Sequence, residues 1–179
     1  MFTEIQKRAL IVIARAAVTA EVTGRTIDSA TDAVDMPSAS GAFVTLKLHG
    51  HLRGCLGTLE CRRSLAEEVA QCAASAARND PRFAPVRLSE LPGIGVEVSV
   101  LGPLEQIDPR NPDAIVIGRH GLVVEQGKHR GLLLPQVAPE WGWNRDQFLA
   151  HTCRKAGLQS NAWQSGAIVY RFEAIVFGD

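Results

Sequence analysis

Leu52-Arg53-Gly54-Cys55-Leu56-Gly57 sets one thiol between two glycines and two residues beyond an arginine. Glycine in a strand forfeits side-chain packing, so a pair of them around a single cysteine points to a place where something comes close to the backbone. A thiolate is a potent nucleophile, and a neighbouring guanidinium favours it over the thiol. Cys55 is therefore the expected nucleophile or covalent tether. Arg53 either supports it or grips an anionic group through its planar fork. The plainer alternatives are a small packing residue for Cys55 and a cross-strand salt bridge for Arg53.

The elements around this word decide what lies beside it. Phe43 to Leu48 and Leu52 to Leu56 both alternate with period two, and His49-Gly50-His51 between them suits a three-residue hairpin loop. That loop pairs Leu48 with Leu52, Leu46 with Gly54 and Val44 with Leu56 on an apolar face. The other face then carries Lys47 beside Arg53 and Thr45 beside Cys55. Thr45 and Lys47 thereby join the candidate site.

Further candidates follow along the chain. Arg82, in Asp80-Pro81-Arg82-Phe83 just after a helix, is placed to reach the same region, although a helix stop with a packed Phe83 explains the word nearly as well. Ile94 to Leu101 reads as a half-buried strand with Glu97 and Ser99 on its polar side, and Glu97 is a candidate acid or base. Leu132-Leu133-Leu134-Pro135-Gln136-Val137 runs into a stiff segment holding Trp141 and Trp143, a candidate pocket wall with Gln136 as its polar handle. His49, His51, His120 and His151 are candidate bases by residue type alone, and each reads more simply as a turn or surface residue. Cys61, Cys72 and Cys153 read as structural.

Three capping boxes announce helices: Thr3 with Gln6, Ser64 with Glu67 and Asn144 with Gln147. The first helix is expected to end near Gly24, the second at Asn79-Asp80-Pro81 and the third at Gly157. Arg25 to Ser40 is polar and aperiodic, a loop. Gly102 to Asp113, with three prolines, is another. Ala114 to Ile117, Leu122 to Glu125, Gly131 to Leu134 and Ile168 to Phe177 read as strands. Helices flanking a mostly antiparallel sheet, without alternating parallel crossover units, make an α+β fold.

At 179 residues the chain suits one domain, spanning 1–179, and its 46% hydrophobic composition is too apolar for disorder. Nineteen basic residues balance nineteen acidic ones, so no global field favours nucleic acid, and only Arg53, Arg62, Arg63 and Arg82 form a local basic patch. The N-terminal residues fit neither a signal peptide nor a membrane span, and a cytoplasmic protein with reduced thiols is expected. The four cysteines show no CxxC pair, and neither a metal nor a cofactor is expected.

The chain resembles the AMMECR-type domain, also called the AmmeMemoRadiSam system protein A family, along nearly its whole length. The words that carry the resemblance are Gly41-Ala42-Phe43-Val44-Thr45-Leu46, Leu52 to Gly57, Asp80-Pro81-Arg82-Phe83, Val96-Glu97-Val98-Ser99-Val100-Leu101, Gly131 to Val137, and Cys153-Arg154-Lys155-Ala156-Gly157-Leu158. Leu56 stands where the family more often has isoleucine, a volume-conserving exchange. The resemblance implies two unequal lobes, the larger on an antiparallel sheet, and a cleft near the Cys55 motif. It also implies a pathway shared with Memo-like and radical SAM proteins. Two readings of function stand at this point. One is an enzyme that modifies a small molecule or peptide through Cys55 and Arg53, with Thr45, Lys47, Arg82, Glu97 and Gln136 contacting the substrate. The other is a non-catalytic adaptor using the hairpin and the Trp141/Trp143 loop. Nucleic-acid binding ranks third.

Overall fold

The structure is a computed structural model that describes residues 2–26 and 35–179. Part of the predicted loop at 25–40 lies outside the described residues. The chain divides into two compact units, Met1–Leu101 with Ile175–Asp179, and Gly102–Ala174.

In the first unit, helix α1 spans Glu4–Thr23 between the Thr3–Gln6 capping box and a left-handed Gly24, both as the sequence predicts. Helix α2, Leu65–Arg78, opens on the Ser64–Glu67 box and ends at Asn79. Strands β1 (Gly41–Leu48), β2 (His51–Thr58) and β3 (Ile94–Leu101) are antiparallel, with β1 in the middle. The C-terminal residues of β7 (Ile168–Gly178) pair with β3, giving the order β2-β1-β3-β7. Alternate residues of β1 and β3, among them Val44, Leu46, Val96 and Val98, are buried against Leu10, Val18, Val69 and Ala73 of the two helices. The same alternation puts Thr45, Lys47 and Glu97 on the face away from the helices.

In the second unit, β5 (His120–Gln126) lies between β6 (His129–Leu133) and the first part of β7, and β4 (Glu105–Ile107) also pairs with β7. Helix α4, Arg145–Lys155, starts at the Asn144–Gln147 box and packs Phe148, Leu149 and Cys153 into a core with Leu122, Val124 and Val169. Helix α3 (Val137–Trp141) precedes it. The α+β, mostly antiparallel fold is thus as the sequence implies.

Four local expectations are corrected. Residues 114–117 form no strand, because Asn111 caps a 3-10 turn over Pro112–Ala114 instead. The 102–113 loop contains β4. Ser99, expected on the polar side of its strand, is buried. The hairpin loop has two residues, not three: His49 and Gly50 both take positive φ, 52° and 83°, the backbone of a tight turn whose twist matches the strands. Leu48 then faces His51 and Lys47 faces Leu52, while Leu46 still faces Gly54, so Arg53 is the extra residue of a bulge.

Candidate functional site

The bulge leaves the predicted pairing intact where it concerns Cys55. Thr45 lies opposite Cys55 on one side and opposite Glu97 on the other, so the three form one rank across β2, β1 and β3. The Thr45 hydroxyl donates to Cys55 Sγ at 3.2 Å. Two positions along β1, the Lys47 ammonium donates to Glu97 Oε2 at 2.9 Å. Cys55, Thr45, Lys47 and Glu97 are all half-buried and share this face. A thiol, a hydroxyl, an ammonium and a carboxylate thus stand together, enough for nucleophilic and acid–base chemistry.

The two glycines of the motif have a structural cause. A Cβ on Gly54 would sit 2.2 Å from the Ala76 carbonyl oxygen of α2, and one on Gly57 would sit 2.3 Å from the Phe43 ring. What approaches the backbone here is the protein itself, on both sides of Cys55.

Arg53 turns away from the rank. Its Nε and Nη2 grip both oxygens of Glu90 at 2.8 and 3.0 Å, Nη1 donates to the Ala84 carbonyl at 2.9 Å, and Nη2 also reaches the Pro85 carbonyl at 3.3 Å. The Arg53 hydrogen bonds, with that from the Arg87 N–H, hold the Glu90 carboxyl down at about 2. The bulge that displaces Arg53 from its predicted place beside Lys47 also aims it at this loop, and the salt bridge it makes reaches beyond the hairpin.

Arg82 reaches the Cys55 backbone. Its Nε and Nη2 bind Asp80 at 3.0 and 2.7 Å, and Nη2 also donates to the Cys55 carbonyl at 3.4 Å. Asp80, its side chain 2% exposed, accepts the Cys55 N–H at 2.9 Å. Hydrogen bonding from Arg82, then from the backbone of Cys55 and Arg82, pulls the Asp80 carboxyl far below the usual carboxylate range. Both backbone polar groups of Cys55 on the outer edge of β2 are therefore closed by one ion pair, and the Arg53 and Arg82 guanidiniums stand 6.0 and 5.5 Å from the centre of the Phe83 ring.

Of the other thiols, Cys61 is half-buried like Cys55. Cys72 and Cys153 are buried, and burial, followed by the charge of Glu68, pushes Cys72 up to about 11. Among the described residues, no group of three or more His, Cys, Asp or Glu side chains is placed to hold a metal ion. No helix among them is long and apolar enough to cross a membrane.

Gln136 belongs to the second unit, where it immediately precedes α3. There Trp143 stacks on His151 with ring centroids 3.7 Å apart, and Trp141 stacks on Trp143 at 6.0 Å while remaining 70% exposed. Sequence reasoning missed Glu90 and read Asp80 only as a helix stop. Asp80 had a signal, an acid followed two residues later by an arginine in a word shared with a known family; Glu90 had none.

A family model described as AMMECR1 matches residues 11–177. A protein of Methanothermobacter thermautotrophicus is 44% identical over 95% of this chain and 92% of its own length. Protein MJ0810 of Methanocaldococcus jannaschii is 48% identical over 76% of this chain and 72% of its own. The crystal structure of an uncharacterised protein, PH0010 from Pyrococcus horikoshii, is similar with a TM-score of 0.85 and 41% identity, covering 95% of this chain and 89% of that one.

Proposed function

Taking as premise that the chain belongs to the AMMECR1 family, we propose that it is an enzyme acting on a small molecule or peptide, with Cys55 as nucleophile or covalent tether. The observation that carries this is the rank Cys55–Thr45–Glu97, in which Cys55 Sγ accepts a hydrogen bond from the Thr45 hydroxyl on a face it shares with the Lys47–Glu97 pair. Attack forms a bond from Sγ to an electrophilic carbon of the substrate as the bond from that carbon to its leaving group breaks, and the departing group takes up the thiol proton. Arg82 supplies a cation at the Cys55 backbone, and Arg53 braces the loop that carries Arg82. A place in a pathway with Memo-like and radical SAM proteins fits this reading, and the family resemblance is its support.

Site-resolved iodoacetamide labelling at pH 7.5 tests it, with glutathione as the free-thiol reference. Cys55 is expected to react several-fold faster than glutathione although half-buried, and Arg82→Gln to slow it. A Cys55 that reacts more slowly than glutathione overturns the reading, because burial alone produces that result.

The exposed Trp141 at the end of its ring stack favours a second, non-catalytic reading in which the second unit docks a partner. A partner captured equally by Cys55→Ala and lost with Trp141→Ala would support it.

A further inference from the structure

A cavity of about 240 Å³ opens beside the Lys47–Glu97 pair, lined by Lys47, His49, Gly95, Glu97, Gly178 and Asp179 among others. Its glycines are not alike. Gly50 needs its positive φ of 83°, and a Cβ on Gly178 would sit 2.9 Å from the Val96 carbonyl oxygen. A Cβ on Gly95 meets nothing nearer than 3.9 Å, and its φ lies outside the left-handed region. Gly95 is nevertheless in a strand, directly across from Lys47, where glycine costs backbone order and packing. Its bareness keeps the cavity open.

The polar groups there have unequal spare capacity. Both side-chain oxygens of Asp179 are taken, Oδ1 by the Val96 N–H at 2.9 Å and Oδ2 by Arg15, so this carboxylate is a wall. The Lys47 ammonium has three N–H donors and uses one, on Glu97 Oε2, while Glu97 Oε1 has no partner among the described residues. Free donors of a cation and a free acceptor of an anion thus stand side by side. A simple anion would meet the carboxylates of Glu97 and Asp179, and a simple cation would meet Lys47. A ligand carrying both charges on adjacent atoms satisfies both. The volume, about eight waters at ~30 Å³ each, suits a small one.

We propose that this cavity is a binding site for the ammonium–carboxylate head of a small α-amino acid. It lies on the same sheet face as the Cys55 rank. Its identification as a substrate subsite rests on the reading of Cys55 as a reacting thiol; the binding itself does not.

The test is a titration of isotope-labelled protein with glycine, followed by the amide resonances of Lys47, Gly95 and Glu97, with acetate and methylammonium as single-charge probes. Glycine is expected to give saturable shifts, and either single-charge probe at least tenfold weaker binding. Gly95→Val is expected to keep a folded spectrum and lose the glycine response. Gly95→Ala, whose methyl has room, repeats the test should valine unfold the chain, and Lys47→Gln is expected to lose the response as well. Absence of a saturable glycine response, equal binding of acetate, or a response unchanged when Gly95 is filled overturns the proposal. Glycine binding beside an unreactive Cys55 overturns the thiol reading alone. A reactive Cys55 without glycine binding overturns this one alone.

Discussion

The buried carboxylate of Asp80 accepts the backbone N–H of Cys55 at 2.9 Å across 25 positions of sequence. Among the described residues β2 has a strand partner on one side only, and an edge N–H left open is a template for another chain. Asp80 closes it at the residue that carries the thiol, and Arg82 closes the Cys55 carbonyl on the same edge. The Asp80–Arg82 pair therefore fixes the Cys55 peptide without touching Sγ.

Asp80→Asn separates charge from shape. The amide oxygen still accepts the Cys55 N–H, but the ion pair with Arg82 is gone, at an expected cost of about 2 kcal/mol. The Asp80 carboxyl is depressed in the folded state, so its contribution is complete above the ordinary carboxylate range near ~3.9 and is lost as pH falls below it. Urea titrations should show the gap between wild type and Asp80→Asn open at pH 7 and narrowing below pH 4. A gap of constant size at pH 3 would mean that the charge of Asp80 contributes nothing.

Gly54 and Gly95 lie in neighbouring regions of one sheet and should respond in opposite ways to a methyl group. At Gly54 the obstacle is a backbone oxygen 2.2 Å away, which cannot swing aside, so Gly54→Ala is expected to cost about 3 kcal/mol. At Gly95 the nearest atoms are 3.9 Å away, so Gly95→Ala should be neutral or stabilising by up to about 1 kcal/mol. Denaturation midpoints of the two variants measure this directly. Equal losses would refute the division of the glycines into packing and cavity roles.

What was legible in the sequence is what depends on near neighbours. Each capping box reaches only three residues, from Thr3, Ser64 and Asn144, and all three form. The alternation of Val44, Thr45 and Leu46 fixes their faces, and Thr45 meets Cys55 as expected. The turn was misjudged because a histidine at positive φ is uncommon, and His49 adopts it so that a two-residue loop closes the hairpin. That choice forces the bulge, and the bulge sends Arg53 to Glu90, 37 residues away, where no local pattern advertises the contact. The pairing of Val44, Thr45 and Leu46 with β2 was thus legible, whereas the pairing next to the turn and the contacts along the edge were not, because loops that depend on tertiary packing supply the partners there.

His120 offers a pH-dependent test in the second unit. It is buried at the start of β5, and its Nδ1 accepts the Val116 N–H at 3.0 Å, which requires a neutral ring. Burial lowers its pKa, Arg171 and Arg119 lower it further, and Glu173 and Glu105 pull weakly the other way. Above the ordinary imidazole value near ~6.5, folded and unfolded rings are both neutral and the contribution of His120 is complete. As pH falls below that value the unfolded chain takes the proton first, and stability is lost toward the lower folded pKa at up to about 1.4 kcal/mol per pH unit. His120→Asn keeps an oxygen to accept the Val116 N–H but does not titrate there. Its denaturation free energy should therefore fall less than that of wild type between pH 7.5 and 5.5. Parallel decline of the two proteins would show that the buried imidazole is not what titrates, and would move the acid sensitivity to another histidine.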